Sequence, residues 1–253
     1  MRKALFLLTA GALLGGSAAA EELTLDEVLA NHFEAIGGLA AWKALESARF
    51  TGTMTAGPGI EAPFTMTFKR PQKVRLEFTV QGMTGIQAYD GETAWMIMPF
   101  LGKNDPELMP EDQAKSMRQQ ADLEGPLVDY EKKGHQVELI GLEEIEGTEA
   151  YKLKLTLDDG DVRYQYLDSE YFVVIKQEGK TEVQGQQVDF ESTLSDYKEV
   201  DGLMFPHSIE SRPKGAPEGQ VITIDRVEIH ADVPDDLFVM PEKAPQEESE
   251  GAE

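Results

Sequence analysis

After Ser47 and for most of the chain beyond it, apolar side chains recur at every second position. That period of two restricts the chain to strands with one dry face. FTMTF (64–68) sets Phe64, Met66 and Phe68 on one side with threonines opposite, and VRLEFTV (74–80) sets Val74, Leu76, Phe78 and Val80 against Arg75, Glu77 and Thr79. YKLKLTL (151–157), VRYQYL (162–167), VDFES (188–192) and VITIDRVEI (221–229) repeat the pattern. The turn sequences DDGD (158–161), EGK (178–180) and DG (201–202) separate these runs. Such short connections join antiparallel neighbours.

The first part of the chain has a different period. In LTLDEVLANHFEAIGGLAAWKALES (23–47), Leu25, Val28, Leu29, Phe33 and Ile36 recur at three- and four-residue spacing. This predicts an amphipathic helix. Thr24 with Glu27 forms a capping box, and Gly37-Gly38 ends the helix before a second short turn through Trp42 and Leu45. The segment 104–134 also breaks the strand pattern, and its polar residues around Leu108, Met109, Met117, Leu123, Leu127 and Val128 predict one or two inserted helices.

About eleven or twelve strands with an apolar face must cover that face, because each large side chain gains roughly 1.5–3 kcal/mol on burial. Sequential short connections and an N-terminal amphipathic helix favour one meander curled around the helix over two packed sheets. The expected fold is therefore mainly β with α: an incomplete, half-open antiparallel barrel with inserted helices as a lid. A sheet of this size encloses more volume than one helix fills, so an apolar cavity follows.

Its wall is sought in TAWMIMPF (93–100), where Trp95 and Ile97 lie on one face, Met96, Met98 and Phe100 on the other, and neither face is polar. Two readings fit: a central strand covered on both faces, or a wall that meets a ligand. The clustering of Met66, Met83, Met96, Met98, Met109 and Met117 in this half favours the second, since methionine adapts to ligands of variable shape.

MRKALFLLTAGALLGGSAAA (1–20) has two basic residues, a short apolar run and small residues with Ala18 and Ala20 at signal-peptidase spacing. It reads as a cleaved secretory leader, too short in its apolar run for a bilayer span. A single domain over 21–240 and a disordered acidic tail over 241–253 complete the expected organisation. The chain holds no Cys, so neither a disulfide nor a lipidated Cys anchor is available. A formal net charge of −24 argues against nucleic acid and stable contact with anionic membranes, and suits solubility in a protein with an apolar cavity.

Catalytic chemistry finds little support. His32, His135, His207 and His230 are scattered, with no His-Glu-x-x-His, Gly-x-Ser-x-Gly or Cys nucleophile. LDDGD (157–161) lacks the full calcium loop and reads as a solvated hairpin turn. The sequence therefore predicts no catalytic residue, no metal site and no cofactor.

FKRP (68–71), the strand VRLEF (74–78) and YDGETAWMIMPF (89–100) together resemble the periplasmic outer-membrane lipoprotein carrier family, LolA-like in its broad sense, as does the Phe238-Val239-Met240-Pro241 ending. The resemblance covers most of the chain after the leader. It implies an incomplete antiparallel barrel whose cavity receives acyl chains, with Arg70 as the motif arginine near the mouth, helping to hold the lid, and Trp95 as the motif tryptophan. The candidate cavity residues are then Arg70, Phe64, Met66, Phe68, Leu76, Phe78, Trp95, Met96, Met98 and Phe100. The expected function is a soluble periplasmic carrier or chaperone for acyl chains of lipoproteins or other lipids. Its partners would be an inner-membrane donor and an outer-membrane acceptor, with transient membrane contact only. An envelope lipid sensor or protein-interaction domain on the same fold is the alternative.

Overall fold

A computed structural model describes residues 23–57, 59–183 and 185–242. The expected leader and all of the acidic tail beyond Glu242 lie outside the described residues. The strands in chain order are β1 (Ser47–Gly57), β2 (Ile60–Lys69), β3 (Lys73–Val80), β4 (Met83–Tyr89), β5 (Ala94–Met98), β6 (Lys103–Leu108), β7 (Gln136–Ile145), β8 (Thr148–Thr156), β9 (Val162–Asp168), β10 (Val174–Val183), β11 (Gln186–Val200), β12 (Leu203–Pro213) and β13 (Gln220–Ile229).

All belong to one antiparallel sheet in the order β6-β5-β4-β3-β2-β1-β13-β12-β11-β10-β9-β8-β7, so β6 and β7 are free edges and the sheet stays open. Every pairing but one joins consecutive strands; the exception is β1 with β13, which closes the two halves of the chain onto each other. At that seam Gly52 is required by close approach, since a Cβ there would lie 1.9 Å from the carbonyl oxygen of Thr223.

Thirteen strands replace the eleven or twelve expected. One extra is β6, KNDPEL, whose charges and Pro106 hide it inside a segment read as helical; as an edge strand it tolerates both. The other correction is at EGK (178–180), expected as a turn: β10 runs straight through it. Gly179 serves packing there, because a Cβ would come within 2.9 Å of the Phe190 ring.

Helix α1 (Leu25–Ala35) starts with the full capping box: Thr24 N–H donates to Glu27 Oε2 at 2.8 Å while Glu27 N–H donates to Thr24 Oγ1. Helix α2 (Leu39–Ala44) follows the glycine pair. The 104–134 segment holds one helix, α3 (Glu111–Gln120), with Glu111 and Asp112 in its first turn, where the helix dipole favours acidic residues.

The three helices share the inner face of the sheet. On it α1, through Val28 and Leu29, packs against Leu153, Leu155 and Leu167 of β8 and β9. Trp42 of α2 and Leu45 just after it meet Phe64, Phe205 and Val227 near the seam. Ala114 and Met117 of α3, with Ala121 after it, meet Met96 and Met98 of β5. The outer face is largely polar, but after β13 the chain crosses it. Ser47, Lys69, Arg75 and Trp95, from β1, β2, β3 and β5, donate to the carbonyls of Ala231, Val233, Leu237 and Phe238 at 2.7, 2.7, 2.9 and 2.7 Å. The Phe-x-x-Pro ending is thus part of a strap fixed by side-chain donors.

Candidate functional site

Of the ten candidate residues, Phe64, Trp95, Met96 and Met98 are buried, Met66, Phe68, Leu76, Phe78 and Phe100 are half-buried against apolar clusters, and Arg70 is a tie. Phe64, Met66, Leu76 and Phe78 lie in the cluster under α2; Met96 and Met98, with Phe68 and Phe100, lie in the cluster under α3, and Met66 and Phe78 touch both. Their cross-strand register explains this: Phe64 pairs with Phe78, Met66 with Leu76, and Met96 with Gln87, which puts one inner-facing row against the helices. Trp95 points the other way, 1% exposed beneath the strap, with the Arg75 guanidinium 5.5 Å from its ring centre. Both faces of β5 are covered by protein.

The main cavity lies elsewhere on the inner face, over β9–β13, and measures about 840 Å³. None of the ten candidates is among its described lining residues. It opens where α1, α2 and α3 leave a gap over the second half of the sheet. Phe33 of α1, Ile36 just after it, Trp42, and Leu123, Leu127 and Val128 from the segment after α3 form one side. Val174, Val188, Phe190, Leu194 and Ile209 contribute apolar surface from the strands. Its size is within the roughly 300–1,000 Å³ typical of small-molecule sites.

Polar groups also line it. His32 is buried, and its Nδ1 lies 2.7 Å from the Phe172 carbonyl oxygen, which assigns the proton to Nδ1. Burial holds the His32 pKa below its usual value, against the opposing pull of that bond, so the ring is neutral. Tyr197 O–H donates to Val174 O at 2.6 Å, and burial pushes its phenol well up. Gln165, Gln177, Ser192, Ser211, Thr181 and Arg163 stand on the floor. The arrangement offers apolar contact and hydrogen bonds; among the described residues no group of three or more His, Cys, Asp or Glu could hold a metal ion.

The cover over the cavity, residues 121–134, is tied down by charge. Arg70 Nε donates to Leu45 O at 2.7 Å, Arg70 Nη2 donates to Trp42 O at 3.0 Å, and the same nitrogen pairs with Glu124. Lys133 holds Asp122 at 2.7 Å and Glu124 at 3.2 Å, and Lys43 holds Asp129 at 2.6 Å. Arg70 therefore joins the β2–β3 turn, the end of α2 and the cover.

The sequence pattern did not reveal the floor, because its polar residues interrupt the alternation of β9–β12 and look like solvent-facing positions. The available signal was the weak apolar content of β10, VIKQEGKTEV, in a central strand.

No family model matches the sequence, and no curated protein matches it. Solved structures do. A protein described as an outer membrane lipoprotein-sorting domain, from Vibrio parahaemolyticus, superposes with a TM-score of 0.57 at 12% identity, covering 84% of this chain and 94% of that one. A LolA superfamily protein from Nitrosomonas europaea gives 0.55 at 16% identity, over 86% of this chain and 98% of that one. A DUF1329 family protein from Desulfovibrio piger gives 0.53 at 12% identity, over 82% and 95%. With identity this low the likeness is one of fold: the chain has an open antiparallel sheet fold similar to those of these lipoprotein-sorting and LolA superfamily structures.

Proposed function

We propose that this chain is a periplasmic carrier that shelters acyl chains of lipoproteins or other lipids in the cavity over β9–β13 and releases them at the outer membrane. The observation that carries the reading is the cavity of about 840 Å³, walled by apolar side chains and bounded by a cover held through ion pairs. The fold shared with lipoprotein-sorting proteins supports it.

A carrier must release what it binds. Each methylene transferred from water gains about 0.8 kcal/mol, so a chain taken from one membrane and given to another must exchange nearly equal environments. A cavity with apolar walls and a partly polar floor binds less tightly than a fully apolar one. The cover adds an adjustable contribution: its more exposed pair, Lys43–Asp129, costs about 0–1 kcal/mol to break, and the half-buried pairs of Arg70 and Lys133 cost more. Passage from an inner-membrane donor to an outer-membrane acceptor then requires no covalent step.

The test is native mass spectrometry of the protein purified from the periplasm, with organic extraction, against an Ile209→Trp variant that fills the cavity. Co-purifying lipid or acylated protein, lost in the variant, is the expected result. A clean apo mass that also takes up no added lipid overturns the reading.

A further inference from the structure

Five strands place a polar residue at the same level of the cavity floor. Gln165 of β9 pairs directly with Gln177 of β10, Gln177 with Ser192 of β11, Ser192 with Ser211 of β12, and Ser211 with Gln220 of β13. All five line the cavity. One row of an inner face that is apolar under the helices is here amide and hydroxyl from end to end.

The row is only partly satisfied by itself. The Ser192 and Ser211 hydroxyls share a hydrogen bond at 2.7 Å. Gln165 is 6% exposed, yet its Oε1 is buried and receives no hydrogen bond. Two positions earlier on the same face of β9, Arg163 gives one guanidinium nitrogen to Gln119 of α3, while its Nε is buried with no acceptor. Gly179, directly across from Arg163, leaves the space in which that side chain and Phe190 lie side by side; a Cβ would meet Arg163 Cγ at 3.2 Å. Both residues line the cavity, and a turn of either side chain about its own torsions brings the unpaired acceptor or donor to the cavity surface, where the two are complementary to a ligand that supplies one of each.

We infer that this floor is a headgroup subsite, and that the cavity takes an amphipathic lipid with a hydroxyl-bearing, glycerol-like head. The head lies against Gln165 and Arg163, and the chain runs between Leu194 and Ile209 of the sheet and Leu123 and Leu127 of the cover. A hydroxyl accepts from Arg163 Nε and donates to Gln165 Oε1. A methyl ester can only accept, a carboxylate does the same and brings charge toward Asp159 and Asp161, whose fields already act on Arg163, and a quaternary ammonium can do neither. The inference rests on the carrier reading for the site but concerns which head it selects.

The experiment measures binding of 1-monoolein, methyl oleate, oleate and oleyltrimethylammonium to the protein by isothermal titration below their critical micelle concentrations. Wild type should prefer monoolein to methyl oleate by about tenfold, the equivalent of one good hydrogen bond. Gln165→Leu should cut that preference to about twofold or less while leaving the methyl oleate affinity in place. Gln177→Leu, one strand along, supplies a second variant should Gln165→Leu fold poorly, and should reduce the preference by a smaller factor. Equal affinity of the wild type for all four lipids, or a preference untouched in Gln165→Leu, overturns the headgroup subsite and leaves the carrier reading standing. Binding of none of them removes both. Selective binding without transfer between donor and acceptor vesicles removes the carrier reading alone.

Discussion

Trp95 separates a core role from a ligand role more sharply than any other side chain here. It sits on the outer face of β5, 1% exposed, with its indole N–H bonded to Phe238 O at 2.7 Å and Arg75 stacked at 5.5 Å. Truncation to alanine removes a fully packed aromatic, which costs about 3–5 kcal/mol in protein cores. Phe238 O also loses its donor, and the strap is then held by Ser47, Lys69 and Arg75. We expect Trp95→Ala to lose about 4 kcal/mol, a large share of the roughly 5–15 kcal/mol that holds most domains folded. Trp95→Phe keeps much of the packing and gives up the hydrogen bond, for a loss of about 1–2 kcal/mol.

The assay is equilibrium urea unfolding of the three proteins, followed by lipid uptake of the Trp95→Phe form. Uptake should stay within about twofold of wild type, because the residue lies on the opposite face of the sheet from the cavity. The reasoning is refuted by a loss under about 1 kcal/mol for Trp95→Ala. It is refuted equally by a Trp95→Phe protein of normal stability that no longer takes up lipid.

Other residues give separate checks. Arg70→Ala removes two charge-assisted bonds to backbone carbonyls and one partner of Glu124; with Lys133 still beside Glu124 the expected loss is about 2–4 kcal/mol, accompanied by faster proteolysis or hydrogen exchange within residues 121–134. His32 is neutral in the fold and protonates more easily when unfolded, near pH 6.5; the unfolded state therefore binds more protons below that point, and stability falls as pH drops, by up to about 1.4 kcal/mol per pH unit. His32→Gln should flatten this dependence below about pH 6.5 in denaturant titrations. Gly179→Ala presses a methyl to within 2.9 Å of Phe190 and should cost about 1 kcal/mol in thermal unfolding, the overpacking offset in part by lower chain entropy.

The sequence carried the fold through its two periods. The capping box at Thr24 and Glu27, the glycine pair after α1, and the alternation of β2 and β3 each report a local physical preference, and the structure honours all of them. Strand meanders follow from such local signals because each strand pairs with its neighbour in sequence. The exception, β1 with β13, joins residues at opposite ends of the sheet-forming chain, and no local pattern announces it. The cavity was illegible for a related reason. Phe64, Met66, Met96 and Met98 are large apolar inward residues, and that apolarity is what draws α2 and α3 onto them. A wall so well matched to helices is filled by helices.

The gap consequently falls where the inward row is least attractive to an apolar helix face, over Gln165, Gln177, Ser192 and Ser211. Covering these groups with Leu or Met would strand them without hydrogen bonds, at about 1–3 kcal/mol for each buried polar group left unpaired. Opening a cavity beside them lessens that cost, since water can reach the groups at its surface, while Gln165 Oε1 stays buried and unpaired until an occupant meets it. The floor's polarity and the cavity's existence are thus one fact seen from two sides. It also sets the terms for any occupant: a purely hydrocarbon ligand would displace water from the amides and hydroxyls and give nothing back, while an amphipathic one replaces those hydrogen bonds and gains the apolar wall as well.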